Sequence, residues 1–286
     1  IKATVSIEGK GEPLTGSRAI AFADLLETQA RAEDVVEAKA HDICMIMFTS
    51  GTTGPSKGTL MPHAHSVLFG FGAGRALKMT PEDCMFICMP FFHAMGLMLQ
   101  LTSCLVYGSS AHVIRRFSAT TWLDEIRASK ATLTYGLGVI PEFIFRQPPS
   151  PYDKDHDLRS MVAVPIGEDW GAPFEERFGL RLVQAYGMTE CNIPAYGKLE
   201  DPVMAGCAGH IDDDFFEVKI VDADTDEEMP KGEVGEIVVR PTQPACFMQG
   251  YYNMPERTIE AWRNLWFHTG DAGRFDEEGL LFFSGD

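Results

Sequence analysis

The stretch Thr49-Ser50-Gly51-Thr52-Thr53-Gly54-Pro55-Ser56-Lys57-Gly58 directly follows the apolar run Ile43–Phe48, which predicts a buried strand. Its glycines permit tight turns, its Ser and Thr side chains offer hydroxyl donors, and Lys57 adds a positive charge. A loop of this kind can wrap a polyphosphate with N–H and O–H groups. Composition alone leaves a plain flexible connection equally open.

The spacing within this loop excludes a P-loop kinase site. That motif needs Gly-x-x-x-x-Gly-Lys followed by Ser or Thr. Counted from Gly51, the residue before Lys57 is Ser56 and the residue after it is Gly58. Any nucleotide bound by this loop must therefore be held in a different way.

The composition is that of an ordinary globular protein with a strong negative charge. Of 286 residues, 45% are hydrophobic and 23% are charged, and 24 Lys and Arg face 41 Asp and Glu, for a formal charge of −17. This balance argues against a nucleic-acid partner, because binding a phosphate backbone needs a basic face. It does not exclude a nucleotide substrate, which a few backbone amides can hold.

The cysteines and the apolar segments predict a cytoplasmic protein without a membrane span. The seven Cys are odd in number and include no Cys-x-x-Cys pair, which indicates reduced, buried thiols. The stretch 84–107 has no Asp, Glu, Lys or Arg and is long enough to cross a bilayer, but Pro90 and Gln100 interrupt it. We expect a buried strand at 84–89 and a buried helix at about 94–106 instead.

Short apolar runs alternate with helical patterns along the first two thirds of the chain. The predicted strands lie at 43–48, 84–89, 131–135, 162–166 and 181–185, and the predicted helices at 67–77, 94–106, 118–127 (capped by Ser118) and 173–178. This alternation predicts an α/β fold over residues 1–204, with a parallel-rich sheet and flanking helices. Over 205–286 we expect a β-rich, barrel-like subdomain with antiparallel hairpins, whose acidic runs 212–214 and 222–228 are solvated tips.

Four further motifs follow the loop along the chain. They are Pro90-Phe91-Phe92-His93-Ala94-Met95-Gly96, Tyr186-Gly187-Met188-Thr189-Glu190, Gly235-Glu236-Ile237 to Gly250-Tyr251, and Thr269-Gly270-Asp271. With the loop, they make nearly the whole chain resemble the adenylate-forming (AMP-binding) superfamily, in its acyl-CoA synthetase branch. The family's loop usually ends x-Pro-Lys-Gly, and here Pro55 and Ser56 are exchanged, which leaves Lys57 in register. The fold implied is that of the family's large N-terminal domain.

The resemblance implies a binding site for ATP and Mg²⁺. The residues assigned to ATP are Thr49, Ser50, Gly51, Thr52, Thr53, Gly54, Lys57, Gly167, Glu168, Tyr186, Gly187, Thr189 and Asp271. Tyr186 would lie on adenine, Asp271 would accept hydrogen bonds from the ribose hydroxyls, and Thr189 would donate to the α-phosphate. Glu190 would hold Mg²⁺, a cation that prefers carboxylate and phosphate oxygens. Thr189, Glu190 and Lys57 are the expected catalytic residues.

The resemblance also implies a pocket for a carboxylic acid. Its expected residues are His93, Gly96, Tyr135, Gln184 and Gly187, with His93 as a ring at the pocket mouth that has no acid–base role. No Arg or Lys lies near these residues to pair a second carboxylate, so a neutral or hydrophobic acid is expected. The runs 187–194 and 146–149 resemble the carnitine/crotonobetaine–CoA ligases of the family. A quaternary ammonium would need an aromatic or acidic cage, for which Tyr135, Phe92 and Trp170 are candidates.

The reaction implied is ATP-dependent activation of an acid to an acyl-adenylate, followed by thioester formation with coenzyme A. Two alternatives stay open, namely adenylation for transfer to a carrier protein and non-catalytic binding of ATP or AMP. The chain starts at Ile1 without Met and stops at Asp286, where the family's hinge begins. We therefore expect a central fragment that lacks the start of the N-terminal domain and the C-terminal catalytic Lys. Oligomeric state is left open.

Overall fold

The computed structural model describes residues 3–6, 18–21, 23–24, 27, 36–49 and 56–285. The chain divides into two compact units, Ile1–Lys39 and Ala40–Asp286. In the first unit, strand β1 (Ala3–Ser6) pairs in parallel with β2 (Arg18–Ala21). The elements described below belong to the second unit.

The second unit opens with an antiparallel hairpin and a long helix. Strands β3 (Ile43–Thr49) and β4 (Lys57–Pro62) pair so that Thr49 lies opposite Lys57. Helix α1 (His63–Ala76) follows β4 directly. The sequence predicts β3 and α1 but not β4, because Lys57, Gly58 and Thr59 carry no apolar alternation.

A parallel sheet of five strands confirms the predicted α/β class. Its order is β6-β5-β7-β8-β9, and all neighbours are parallel. The strands are β5 (Cys84–Ile87), β6 (Ser110–Val113), β7 (Leu133–Leu137), β8 (Ser160–Val164) and β9 (Arg181–Val183). The intervening helices are a π-helical segment (Met95–Leu101) continued by α2 (Thr102–Tyr107), then α3 (Trp122–Ser129), α4 (Ile140–Phe145) and α5 (Gly171–Phe178).

Alternation along the strands gives the parallel sheet two covered faces. Met85 and Ile87 of β5 belong to a buried cluster that includes residues of α1 and the π-helical segment. Phe86, between them in sequence, packs on the other face with Trp122 of α3 and Phe174 of α5. Burial on both faces explains why β5 is a continuous apolar run in the sequence.

An antiparallel sheet forms the β-rich part, as predicted. Its order is β10-β11-β12-β17-β16-β14-β13, and β15 pairs with β16. The strands are β10 (Ala185–Met188), β11 (Asn192–Tyr196), β12 (Cys207–Ile211), β13 (Phe216–Val221), β14 (Gly235–Pro241), β15 (Trp262–Arg263), β16 (Trp266–Phe275) and β17 (Leu281–Gly285), with helix α6 (Pro255–Ala261) before β15. Two of these strands, β10 and β11, precede residue 205, and the subdomain boundary at 204 stays a prediction.

Strand β4 also pairs with a segment of the β-rich part, Gln249–Tyr252. The Leu60 amide donates to the Gly250 carbonyl (2.9 Å), the Gln249 amide to the Leu60 carbonyl (3.0 Å), and the Tyr252 amide to the Gly58 carbonyl (2.7 Å). The hairpin is thus joined by backbone hydrogen bonds to a region far along the chain. The pairing brings Tyr251 beside Lys57.

Local predictions away from the site have mixed outcomes. Helix α3 begins after Thr121 and not after Ser118, whose hydroxyl lies 2.9 Å from that of Thr120. Asp212 was expected to be solvated, but it is buried and ion-paired with Arg75. All seven cysteines are free, as predicted, and four of them are buried. Within the described residues, no helix has the length and apolar character needed to cross a membrane.

Candidate active site

Glu190 is a buried carboxylate at the tip of the β10–β11 hairpin. Thr49, at the end of β3, donates from Oγ1 to Glu190 Oε1 across 3.3 Å. Tyr251 donates from its phenol to the same oxygen across 3.2 Å. The second oxygen, Oε2, has no hydrogen bond to any residue that the structure describes. Among the described residues, one oxygen is therefore fixed by two hydroxyls while the other is left without a donor, which suits a ligand for a cation.

Lys57 reaches this carboxylate through Tyr251. Its Nζ donates to the Tyr251 hydroxyl across 3.3 Å and lies 4.6 Å from the ring centroid. Burial and the neighbouring charge of Glu190 raise the pKa of Tyr251, so the phenol stays protonated and can donate. The sequence pointed to Tyr251 only as the end of a motif. Its bridging role depends on the pairing of β4, which was not predicted.

His65, at the start of α1, holds the turn that carries Thr189 and Glu190. Its Nε2 lies 2.9 Å from the Thr189 carbonyl and its Nδ1 lies 3.0 Å from the Cys246 carbonyl. The Asn192 amide donates to the His65 carbonyl across 2.9 Å. Burial lowers the pKa of His65 to about 4, so the ring is neutral at pH 7 and carries one N–H. No role for this histidine could be predicted from the sequence, since its partners are backbone atoms of distant segments.

Gly187 lies at an irregularity in β10, between Tyr186 and Met188. A side chain there would overlap the carbonyl oxygen of Asn192, so the close approach of the two hairpin strands requires glycine. The irregularity separates Tyr186 from the turn residue Thr189. Both side chains nevertheless line the same cavity.

Tyr186 and Asp271 form a direct contact between β10 and β16. The Tyr186 hydroxyl donates to Asp271 Oδ2 across 2.6 Å. The Tyr186 ring stacks with Phe283 at a centroid distance of 6.0 Å. Burial raises the pKa of Tyr186, which keeps it a donor. The two residues expected to contact adenine and ribose therefore lie side by side, although 85 positions separate them.

A cavity of about 310 Å³ connects Tyr186, Thr189 and Glu190 with an apolar pocket. One part of its lining comes from the turn and the hairpin and includes Thr49, Thr189 and Glu190. The other part is apolar and includes Phe69, Ala73, Met95, Leu99, Tyr135 and Val162. Within the described lining, Glu190 is the single carboxylate, and there is no Lys or Arg. A nucleotide phosphate and an apolar acid could therefore meet in one space.

The structure brings together most of the predicted site residues that it describes. Those that line the cavity are Thr49, His93, Tyr135, Tyr186, Gly187, Thr189 and Glu190. Lys57 and Asp271 lie next to these residues, because Lys57 donates to the Tyr251 hydroxyl and Asp271 accepts from the Tyr186 hydroxyl. Ser50, Gly51, Thr52, Thr53 and Gly54 lie outside the described residues.

Four predicted residues do not line this cavity. Gly96 packs against the backbone of Pro90, where a side chain would not fit. The Gln184 amide donates to the Met204 carbonyl, and both residues line a separate, smaller cavity. Gly167 packs beside Trp170, and Glu168 is exposed.

The suggested aromatic cage does not form. Trp170 is buried in the cluster on the opposite face of the parallel sheet, and Phe92 is 82% exposed. Of the three candidates only Tyr135 reaches the cavity, and its buried hydroxyl has no hydrogen-bond partner in the described part of the chain. A quaternary ammonium group in the cavity would therefore need aromatic rings other than those of Phe92 and Trp170.

His93 is fixed at the cavity mouth by the start of the π-helical segment. Its Nδ1 accepts a hydrogen bond from the Met95 amide across 3.1 Å. Desolvation lowers the pKa of His93, which favours the neutral ring at pH 7. A neutral ring engaged with the backbone fits the expected wall residue without an acid–base role.

The sequence did not identify the wall that α1 contributes. Phe69, Gly72, Ala73 and Ala76 recur at the spacing of one helix face and all line the cavity. The available signal was the run Gly70-Phe71-Gly72-Ala73-Gly74, because glycine is unfavourable inside a helix unless packing or space requires it.

Comparison with known proteins gives one family. The model of the family described as AMP-binding enzyme matches residues 3–252. The crotonobetaine/carnitine–CoA ligase of Salmonella typhimurium is 31% identical over 245 residues, which are 85% of this chain and 47% of the ligase. The chain therefore spans about half the length of the curated relatives it matches.

Solved structures of similar fold include two ligand-bound proteins. The inhibitor-bound N-terminal domain of FACL13 from Mycobacterium tuberculosis matches with a TM-score of 0.78 and 26% identity, over 94% of this chain and 67% of that one. ATP-bound MatB from Rhodopseudomonas palustris matches with a TM-score of 0.76 and 25% identity, over 87% of this chain and 49% of MatB.

Proposed function

Because this chain belongs to the AMP-binding enzyme family, we propose that it forms the nucleotide and acid site of an ATP-dependent acid–CoA ligase. The observation that carries the proposal is the continuous cavity shared by Glu190, Thr189 and an apolar pocket. An acid whose chain fills the pocket would present its carboxylate to a nucleotide at the polar side. The CoA ligases among its relatives support a thiol as the final acceptor.

In the first half-reaction, the carboxylate oxygen attacks the α-phosphorus of ATP. The bond from that phosphorus to the bridging oxygen breaks, so an acyl-adenylate forms and pyrophosphate leaves. Two anions must approach each other, and the protein's task is to align them and to offset their charge. Thr189 would donate its hydroxyl to the α-phosphate, and Lys57 would stabilise the departing pyrophosphate. No protein nucleophile is needed.

The nucleoside would be held by the contact between β10 and β16. The Tyr186 ring would lie against adenine, with Phe283 packed beside it. Asp271 would accept hydrogen bonds from the ribose hydroxyls, as acidic residues do in other nucleotide sites. The hydrogen bond from Tyr186 already orients this carboxylate.

Glu190 fits a role as ligand for Mg²⁺. Thr49 and Tyr251 fix its Oε1, and Oε2 is free of hydrogen bonds within the described residues. A hard cation prefers such an oxygen together with phosphate oxygens. When bound, Mg²⁺ would supply positive charge to offset that of the triphosphate.

In the second half-reaction, the thiol sulfur of coenzyme A attacks the acyl carbonyl. The bond between the acyl carbon and the phosphate oxygen breaks and the thiol proton passes to water, which yields the thioester and AMP. The neutral ring of His93 would wall the pocket mouth and keep water from the mixed anhydride.

The test is pyrophosphate release by the full-length protein with a panel of acids, with and without coenzyme A. We expect release that depends on the acid, and acyl-CoA when the thiol is present. Glu190→Gln should lower the rate by roughly 100-fold or more, as loss of a charge-stabilising group does. The exposed Glu256→Gln is the matched control and should keep the wild-type rate.

The other outcomes point to the alternatives. Release of pyrophosphate without thioester would favour transfer to a carrier protein. Binding of AMP without release for any acid would favour a non-catalytic module. Either result would contradict the proposal.

A further inference from the structure

Three glycines of α1 lie in different surroundings. A methyl group on Gly70 would lie 2.7 Å from the carbonyl carbon of Thr102, and one on Gly74 would overlap the ring of Tyr107. These two positions are one turn apart and let α1 approach α2 closely. Gly72 is different, because a methyl group there would meet no atom of the described residues within 4 Å. Close packing therefore explains Gly70 and Gly74 but not Gly72.

Gly72 faces the cavity. It is buried, and it lines the cavity together with Phe69 and Ala76, which lie on the same helix face. The open space around Gly72 is thus part of the pocket. A methyl group placed here would extend into the volume that the proposed acid occupies, without meeting an atom of the described residues within 4 Å.

The size and charge of the cavity restrict the acid. The volume of about 310 Å³ is about twice the ~150 Å³ that encloses a benzene molecule, and the reacting groups take part of it. Arg75, on the same helix, is ion-paired with Asp212 and Asp214 outside the cavity. A second carboxylate on the acid would therefore be buried without a cationic partner among the described lining residues.

We infer that the missing side chain at Gly72 sets the size limit for the acid. The substrate class is an acid without a second negative charge, whose acyl group is of the order of one aromatic ring or a medium-length chain. This inference rests on the proposed function. It adds a specificity-determining position on α1 to the residues expected from the motifs.

The experiment compares acids of increasing size in the full-length protein. Butyrate, hexanoate, octanoate, benzoate and succinate are assayed by pyrophosphate release, and their binding is followed by the shift in melting temperature. Gly72→Val should lower kcat/KM for the largest acid that the wild type accepts by roughly tenfold or more, and Gly72→Ala by less. The smallest accepted acid should change by less than about twofold. Succinate should be the poorest substrate for its length.

Stability separates this role from a structural one. Gly72→Ala should keep or raise the melting temperature, since alanine is the better helix former and meets no atom. The matched control, Gly70→Ala, forces a methyl group against Thr102 and should lower the melting temperature. It should reduce activity with all acids by the same factor.

The outcomes distinguish this inference from the proposed function. Activation of acids with size selectivity unchanged in Gly72→Val would overturn the inference alone, as would succinate being the best substrate. Size-dependent acid binding that is lost in Gly72→Val, but without pyrophosphate release, would overturn the proposed function alone. Neither binding nor release for any acid would overturn both.

Discussion

The phenol of Tyr251 lies between the carboxylate of Glu190 and the ammonium of Lys57, at 3.2 Å from Oε1 and 3.3 Å from Nζ. The three residues come from the segment after β14, from the β10–β11 turn and from β4. Tyr251 is itself positioned by the backbone pairing of its segment with β4. The contact therefore links the β3–β4 hairpin to the proposed metal ligand Glu190.

Tyr251→Phe should lower activity without unfolding the protein. The ring remains in place, but Glu190 loses one of its two donors and Lys57 loses its acceptor. A hydrogen bond to a charged group contributes about 1.5–3 kcal/mol, so kcat/KM for ATP should fall roughly 10- to 100-fold. Steady-state kinetics measure the change. Tyr252→Phe, at the half-exposed next residue, is the control and should behave as wild type. Wild-type kinetics in Tyr251→Phe would show that the bridge has no role.

Asp271→Asn should weaken AMP binding. The amide accepts hydrogen bonds less strongly than the carboxylate, and its NH₂ group would face the ribose hydroxyls and Tyr186. We expect the dissociation constant of AMP, measured by titration calorimetry, to rise about tenfold. Tyr186→Phe keeps the ring against adenine and should have a smaller effect.

The exposed Asp213→Asn serves as the control for this pair. If Asp271→Asn and the wild type bound AMP with equal affinity, Asp271 would not be the residue that holds the ribose. A larger loss in Tyr186→Phe than in Asp271→Asn would mean that the phenol, and not the carboxylate, binds the nucleotide.

His65 should make the stability of the protein depend on pH. Burial lowers its pKa to about 4 in the folded state, against about 6.5 in the unfolded state. The unfolded state therefore binds more protons between pH 4 and pH 6.5. The contribution of the neutral His65 ring to the free energy of unfolding is complete above pH 6.5 and is lost as the pH falls toward 4. Between pH 7 and pH 4 the wild type should lose ~3 kcal/mol more than His65→Gln.

Urea unfolding of both proteins at several pH values measures this difference. Other titrating groups are shared and cancel in the comparison. Parallel curves for wild type and His65→Gln would contradict the prediction. At pH 7 the variant should also show a lower kcat with little change in the KM for ATP, because the ring positions the backbone of Thr189 and contacts no substrate.

The alternation of strands and helices could be predicted because strands such as β5 and most of β8 are short apolar runs. The sequence could not reveal β4, whose residues carry no period and whose pairing involves a distant segment. It also could not separate the parallel strand β9 from the antiparallel strand β10, because a single residue, Gln184, lies between them.

The motifs located the polar part of the candidate site, since Glu190, Tyr186 and Asp271 lie in short runs of chemically distinctive residues. They did not locate Tyr251 and His65, which act through partners far away in sequence. Lys57 and Tyr251 are 194 positions apart. The α1 wall was missed for another reason. Small apolar residues on a helix are typical of close packing, and only the structure separates Gly72 from Gly70.

Strand β4 is hydrogen-bonded along both edges, to β3 on one side and to Gln249–Tyr252 on the other. Thr49 and Lys57, which flank the predicted phosphate loop, are thus held in place by the sheet itself. Such residues lose little conformational freedom when a ligand binds, so the entropy cost of ordering them on binding is small. The double pairing of one short strand therefore favours tight nucleotide binding through entropy.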